Sequence, residues 1–157
     1  MKIHIKKFQE LTVDETYNIL KLRSEVFVVE QNCVYQDLDG KDDRAMHLFY
    51  KEENEMIAYT RIFQKGDYYP ENPSIGRVVV SKKERGKEIG KSIMKESILY
   101  IKNNHNSKII ELSAQKYLDK FYKELGFYRV GEDYLEDNYG YKLLDGEEEG
   151  QFDSAII

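Results

Sequence analysis

Ile75–Ser92, IGRVVVSKKERGKEIGKS, decides the fold of this chain, because it runs from a β-branched strand through a basic, glycine-bearing turn straight into a helix. Val78-Val79-Val80 is stiff and suited to burial. Gly86 and Gly90 let the backbone come close to a ligand. The first turn of the helix that follows presents N–H groups without intrahelical acceptors and the positive end of the helix dipole. Together these features predict an anion site, and the expected ligand carries phosphate.

Spacing separates the two ways such a device is built. Gly86-Lys87-Glu88-Ile89-Gly90-Lys91-Ser92 ends in the Gly-Lys-Ser of a P-loop, but a P-loop has four residues between its glycines and this chain has three. Arg85 stands where the first glycine would be. The same residues resemble the Arg/Gln-x-x-Gly-x-Gly/Ala turn of the GNAT N-acetyltransferases, matching at Arg85 and Gly90 and departing at Glu88, where that family usually has glycine. Upstream, Leu20–Gly40 (LKLRSEVFVVEQNCVYQDLDG) resembles the signature of the ElaA-like branch of that family, Leu-Arg-x-x-Val-Phe-Val-Val-Glu-Gln-x-Cys-Pro-Tyr-x-Asp-x-Asp-Gly. Downstream, Ser113-Ala114-Gln115 and Phe121-Tyr122-Lys123-Glu124-Leu125-Gly126-Phe127 resemble its Ala-Gln and Phe-Tyr…Gly-Phe segments. The resemblance runs from about Leu11 to Leu144. Val34 replaces the usual proline, and Tyr141 stands where a histidine is expected.

Composition sets outer limits. The 157 residues suit one domain with a real core, and 41% apolar against 34% charged residues describes a soluble globular chain. The apolar runs Val26–Val29 and Val78–Val80 are too short to span a bilayer, and Met1–Lys7 lacks a signal-peptide core, so no membrane partner is expected. A single cysteine, Cys33, cannot form an intramolecular disulfide, and the expectation is a cytoplasmic protein. Of the 29 acids, Asp145, Glu147, Glu148, Glu149 and Asp153 lie in a tail with no base, which leaves 24 acids against 24 bases in residues 1–144. The neutral body gives no support for a nucleic-acid partner. The expected organisation is one domain over 1–144 and a solvated acidic tail over 145–157.

Periodicity supplies the elements. Ile3 and Ile5 suggest a first strand, and Thr12-Val13-Asp14-Glu15 is a capping box opening a helix to about Val29, with Tyr17, Leu20, Ser24 and Phe27 expected on its buried face. His47–Tyr50 and Met56–Phe63 read as a strand pair, Gly66–Pro73 as a loop, and Ile75–Val80 as the next strand. From Gly86 to about Asn103, Ile89, Ile93, Ser97 and Ile101 keep an i, i+4 rhythm. Lys108–Ser113 reads as a strand and Leu118–Leu125 as a short helix closed by Gly126, with Phe121 and Leu125 buried and Tyr122 on another face. Tyr128–Tyr134 and Tyr139–Leu144 form a last hairpin around Glu136-Asp137-Asn138. The resemblance implies an α/β (α+β) GNAT fold, a mixed, mostly antiparallel twisted sheet of about seven strands with helices on both faces.

The resemblance also implies the chemistry. Val78, Val79 and Val80, splayed from a neighbouring strand, would bond the pantetheine arm of acetyl-CoA through their backbone, one N–H polarising the thioester oxygen. Arg85, Gly86, Lys87, Glu88, Ile89, Gly90 and Lys91 would take the pyrophosphate, and Gln115 the pantetheine amides. Tyr122 would protonate the departing thiolate; its alternative is a packing tyrosine, in a chain with 13 tyrosines. Arg23, Phe27, Gln31 and Tyr35 would overhang the acceptor pocket, with His47 at a strand end near it, or else these residues pack the helix and the strand end. Glu25 and Glu30 are further candidates for the base. Asp37-Leu38-Asp39-Gly40-Lys41-Asp42 fails the calcium-loop pattern in the place of its glycine and lacks the terminal glutamate, so no metal is expected. The expected activity is acetyl-CoA-dependent N-acetyl transfer to a primary amine of a small molecule or peptide. An acyl-CoA-binding regulatory module without turnover and a P-loop nucleotide-binding protein are the alternatives, and the resemblance also allows a homodimer.

Overall fold

The computed structural model describes residues 2–135 and 138–144, with backbone alone at 132–135 and 144. The acidic tail and the first two residues of the expected Glu136-Asp137-Asn138 turn lie outside the described residues. Among the described residues there are seven strands: β1 (Lys2–Lys7), β2 (Met46–Glu52), β3 (Glu55–Phe63), β4 (Ser74–Val80), β5 (Ile109–Gln115), β6 (Tyr128–Leu135) and β7 (Asn138–Leu144). They hydrogen-bond in the order β1-β2-β3-β4-β5-β7-β6, with β4 and β5 parallel. β1–β2, β2–β3, β5–β7 and β6–β7 are antiparallel pairs. The helices are α1 (Val13–Arg23), continued by a π-helix over Ser24–Glu30, α2 (Ile89–Asn104) and α3 (Asp119–Glu124). Strands and helices therefore follow one another as the periodicity predicts. Among the described residues no helix is long and apolar enough to cross a membrane.

The described residues fall into two compact units, 2–63 with 77–94, and 64–76 with 95–135 and 138–144. In the first unit β1, β2 and β3 form a meander, and Ile19 and Leu22 of α1 with Val26 of the π-helix pack onto Phe49, Met56, Tyr59 and Val79. Helix α1 opens with the expected capping box, Thr12 Oγ1 accepting from Glu15 N–H at 3.0 Å while Glu15 Oε1 accepts from Thr12 N–H at 3.0 Å. Its buried face differs from the one predicted. Glu15, Ile19, Leu22, Arg23 and Val26 are buried, whereas Tyr17 and Ser24 are exposed and Leu20 and Phe27 are half-buried. Two charged residues are thus turned inward, a choice hydrophobic periodicity does not anticipate. The π-helix ends in the wide i→i+5 bonds Gln31 N–H to Val26 O (3.1 Å) and Cys33 N–H to Val28 O (3.1 Å).

In the second unit β5, β7 and β6 lie side by side, and Ser74, the first residue of β4, is in register with Glu111 of β5. Glu111 N–H donates to Pro73 O (3.0 Å), and its carboxylate accepts from Asn72 Nδ2 (2.8 Å). Gly126, just past the end of helix α3, has a φ of +100° that suits a residue without Cβ, and Phe127 N–H closes the turn on Tyr122 O at 3.1 Å. The apolar stripe of α2 is as predicted, with Ile89, Ile93, Ser97 and Ile101 all buried.

Candidate active site

β4 delivers the chain to the predicted anion turn. Val80 ends the strand, a single 3-10 turn covers Lys82–Glu84, and α2 begins at Ile89, three residues later than Gly86. The first backbone bond into α2 is Ser92 N–H to Glu88 O (3.1 Å), so helix geometry leaves the N–H groups just ahead of it without an intrahelical acceptor. Gly86 has a φ of +83°, and a Cβ built there would meet nothing within 4 Å, so open space lies beside the backbone. Glu88 adopts φ +63°, the left-handed region where the family usually has glycine. Its carboxylate points outward, 75% exposed and 3.7 Å from Lys91 Nζ. Val79 is buried, while Val78 and Val80 are half-buried. The Arg85 guanidinium folds back on the strand end: Nε donates to Val80 O at 3.2 Å, Nη2 to Glu30 Oε1 at 2.9 Å and Nη1 to Glu30 Oε2. Lys87 pairs with Glu84 at 3.0 Å. Open space, a helix start and several cations suit a polyphosphate group.

The Leu20–Gly40 signature resolves into a charge network. Arg23, fully buried, donates from Nε to Asp37 Oδ2 (2.8 Å), from Nη1 to Asp42 Oδ1 (2.8 Å) and from Nη2 to the Asp37 carbonyl (3.0 Å). Arg61 on β3 joins Asp39 (2.8 Å) to Asp42 (3.0 Å). Arg77 on β4 donates from Nη2 to the Asp37 carbonyl (3.0 Å), and its Nε lies 2.7 Å from Asp37 Oδ1, an ion pair without hydrogen-bond alignment. Burial pushes Asp39 up, and hydrogen bonds and charge from Arg61 outweigh it and hold the carboxyl at about 2. Burial likewise raises Asp42, and Arg23 with Arg61 outweighs that and holds it below the usual range. The carboxylates that mimic a calcium loop in sequence are taken by arginines. Among the described residues no three His, Cys, Asp or Glu side chains are grouped to hold a metal ion.

His47 is built into this network. Its Nε2 lies 2.9 Å from the Asp42 carbonyl, which can only accept, so the proton sits on Nε2. Nδ1 then accepts from Tyr59 O–H at 2.6 Å. Burial, the largest effect, lowers its pKa and keeps the ring neutral, with both nitrogens engaged. Tyr35 O–H donates to Asp37 Oδ1 (2.9 Å) beneath the Arg77 guanidinium, 5.6 Å from the ring centroid. Burial, ahead of the Asp37 contact, pushes its pKa up to about 12. Phe27 packs on the core, and Gln31 is half-buried where the π-helix ends. The geometry thus brings Arg23, Tyr35 and His47 together as a scaffold. Asp37, Asp39, Asp42, Arg61 and Arg77 were missed as partners. The closely spaced aspartates of Asp37–Asp42 were their one sequence signal.

In the second unit Tyr122 is the buried residue of α3, and Phe121 and Leu125 are half-buried, the reverse of the predicted faces. An aromatic wall turns Tyr122 inward, because it packs edge-on to Phe127 (5.8 Å between centroids) and against Tyr141 of β7 (5.5 Å). Burial raises its pKa, so the hydroxyl stays protonated at neutral pH. Tyr141, fully buried, donates to Asp119 Oδ1 at 2.7 Å. Gln115 ends β5 opposite Asn138.

The site thus consists of a strand that runs through a glycine turn to a helix start, within a seven-stranded mixed sheet. The acetyltransferase (GNAT) domain family matches residues 9–141, and the chain belongs to that family. It is similar to the ElaA protein of Escherichia coli, 41% identical over 82% of this chain and 84% of that protein. The crystal structure of Escherichia coli ElaA superposes with a TM-score of 0.83 at 37% identity, covering 90% of this chain and 98% of that one. An acyl-CoA N-acyltransferase from Pseudomonas aeruginosa gives 0.85 at 35% identity, with 90% and 98% covered. The PaiA N-acetyltransferase of Thermoplasma acidophilum, solved in complex with coenzyme A, shares the fold alone, with a TM-score of 0.67 at 15% identity over 92% and 100% of the two chains.

Proposed function

We propose that this protein is an acetyl-CoA-dependent N-acetyltransferase that moves the acetyl group to a primary amine of a small molecule or peptide by direct attack on the thioester. The observation that carries it is the turn after β4, where Gly86 stands beside open space at the start of α2 and Arg85 is fixed at the strand end. That turn is suited to a diphosphate, and the names of two structural relatives supply coenzyme A as its bearer. The neutral amine attacks the thioester carbonyl to form the C–N bond, and a backbone N–H of β4 takes the developing oxyanion charge. The adduct collapses with cleavage of C–S, the nitrogen losing a proton to solvent and the thiolate gaining one. Tyr122, held protonated by burial, is the donor this reading assigns. The scaffold around Arg23 fixes the segment Gln31–Gly40, and through it the acceptor side, without itself touching the amine. A second reading, coenzyme binding without turnover, is favoured by the close packing of Tyr122, only 4% exposed.

Titration calorimetry with acetyl-CoA, coenzyme A and ATP with magnesium tests the reading, followed by thiol release from acetyl-CoA across a panel of primary amines. The expected result is binding of both coenzyme forms, no competition from ATP, and release that requires an amine. Binding of ATP that survives an equal concentration of acetyl-CoA would reverse the assignment, and coenzyme binding without release for any amine would favour the second reading.

A further inference from the structure

The Glu30–Arg85 pair joins two segments whose roles differ. Arg85 opens the anion turn, and its guanidinium is held through both Nη atoms by the Glu30 carboxylate and through Nε by Val80 O. Glu30 is the last residue of the π-helix, and the chain that leaves it is the Gln31–Gly40 segment. From there Asn32 turns through φ +49°, and by Asp37 the chain is locked by Arg23 and Arg77. Glu30 is therefore the joint between a rigid helix and a segment pinned further along. The pair is partly exposed on both sides, 39% for Arg85 and 32% for Glu30, so a ligand can reach it. Hydrogen bonding to Arg85, the largest effect, holds the Glu30 carboxyl below its ordinary value, so it is a full negative charge at neutral pH beside a site built for anions.

Two anions then compete for one guanidinium. We propose that Glu30 is a latch on the anion site, holding Arg85 in the ligand-free protein and yielding it to the diphosphate of the coenzyme, so that loading the turn is linked to the start of the Gln31–Gly40 segment. Lys82, whose charge adds to the lowering of the Glu30 pKa, lines with Glu30 a cavity of about 680 Å³ beside α1 and the β2–β3 turn, and would be a second cation within the same cavity for the released carboxylate. Glu30 is a positioning residue here, acting through Arg85. The proposal rests on the coenzyme reading for the identity of the diphosphate, while the latch itself concerns any diphosphate at the turn.

The test measures affinity for coenzyme A, for inorganic pyrophosphate and for pantetheine, which lacks the diphosphate, in the wild-type protein, Glu30→Gln, Arg85→Ala and the double variant. A partly exposed ion pair lost on binding costs the ligand about two- to fivefold. The expected result is that Glu30→Gln tightens coenzyme A and pyrophosphate by about that factor, leaves pantetheine unchanged, and has no effect once Arg85 is alanine. Amide hydrogen exchange over residues 31–40 should change on coenzyme binding in the wild-type protein and not in Glu30→Gln. Weaker coenzyme binding in Glu30→Gln would make Glu30 an orienting partner and overturn the latch, as would an equal effect in the Arg85→Ala background. Tighter pyrophosphate without any coenzyme A binding would keep the latch and discard the coenzyme reading. No binding of either ligand to the wild-type protein would discard both.

Discussion

Glu88 holds a backbone conformation that glycine adopts at no cost and that other L residues adopt against a penalty of about 1–2 kcal/mol. Its side chain projects outward, so the strain is local to the backbone. Glu88→Gly gives up part of the gain through the greater freedom of an unfolded glycine, and a net stabilisation of up to about 1 kcal/mol is expected in urea unfolding. Coenzyme affinity should change little, and far less than in Gly90→Val, which sets a branched side chain in the first turn of α2. A loss of stability in Glu88→Gly would mean that the carboxylate makes contacts that offset the strain. Tyr122 is the second residue whose role a single atom tests. Tyr122→Phe keeps the ring against Phe127 and Tyr141, so a general acid predicts kcat lower by about 10²–10⁴ with coenzyme affinity retained. Joint loss of stability and binding, or unchanged turnover, would make Tyr122 a packing residue.

At the scale of elements, the capping box of α1 does more than start a helix. Glu15 also accepts from Lys6 of β1 (2.9 Å) and Lys51 of β2 (3.1 Å), so one carboxylate ties helix, edge strand and neighbour together. Burial pushes its pKa up, but the Thr12 N–H and both lysines outweigh burial and bring it down to about 2, against 4.5 for a free glutamate. Because the folded pKa lies below the unfolded one, this stabilisation is fully present above about pH 4.5 and is lost as pH falls toward 2. Glu15→Gln is expected to cost about 1–3 kcal/mol at pH 7, the lower part of that range reflecting the partly exposed lysines. Urea titrations at several pH values should show the difference between the proteins vanish near pH 2. A constant difference across that window would assign the cost to packing instead.

At the scale of the molecule, the coenzyme is expected to stabilise the folded chain by mass action, because the turn proposed to receive it does not exist in the unfolded state. At a hundred times its dissociation constant, acetyl-CoA should add about 2.7 kcal/mol, a rise in Tm visible in a thermal-shift measurement where ATP with magnesium gives none. The turn Arg85–Gly90, the proposed coenzyme turn, and the network around Arg23 both belong to the first compact unit. Tyr122, Tyr141 and Gln115 belong to the second.

The sequence by itself determined the features whose physics acts over a few residues. The capping box at Thr12, the buried stripe Ile89, Ile93, Ser97 and Ile101, the glycine stop at Gly126 and the glycine-bearing turn before Ile89 each depend on neighbours within about one helical turn, so their spacing is legible. Tertiary structure decided where charges and rings go. Arg23 finds Asp37 and Asp42, 14 and 19 residues away, and Arg85 finds Glu30 across 55. No local pattern encodes such pairs. The same holds for the inward turn of Arg23 and Glu15, for the neutral state of His47 and for the burial of Tyr122 in place of Phe121. In each case the burial of a polar group is favourable only because a distant segment brings its hydrogen-bonding partner or aromatic wall, and that supply is fixed by the fold.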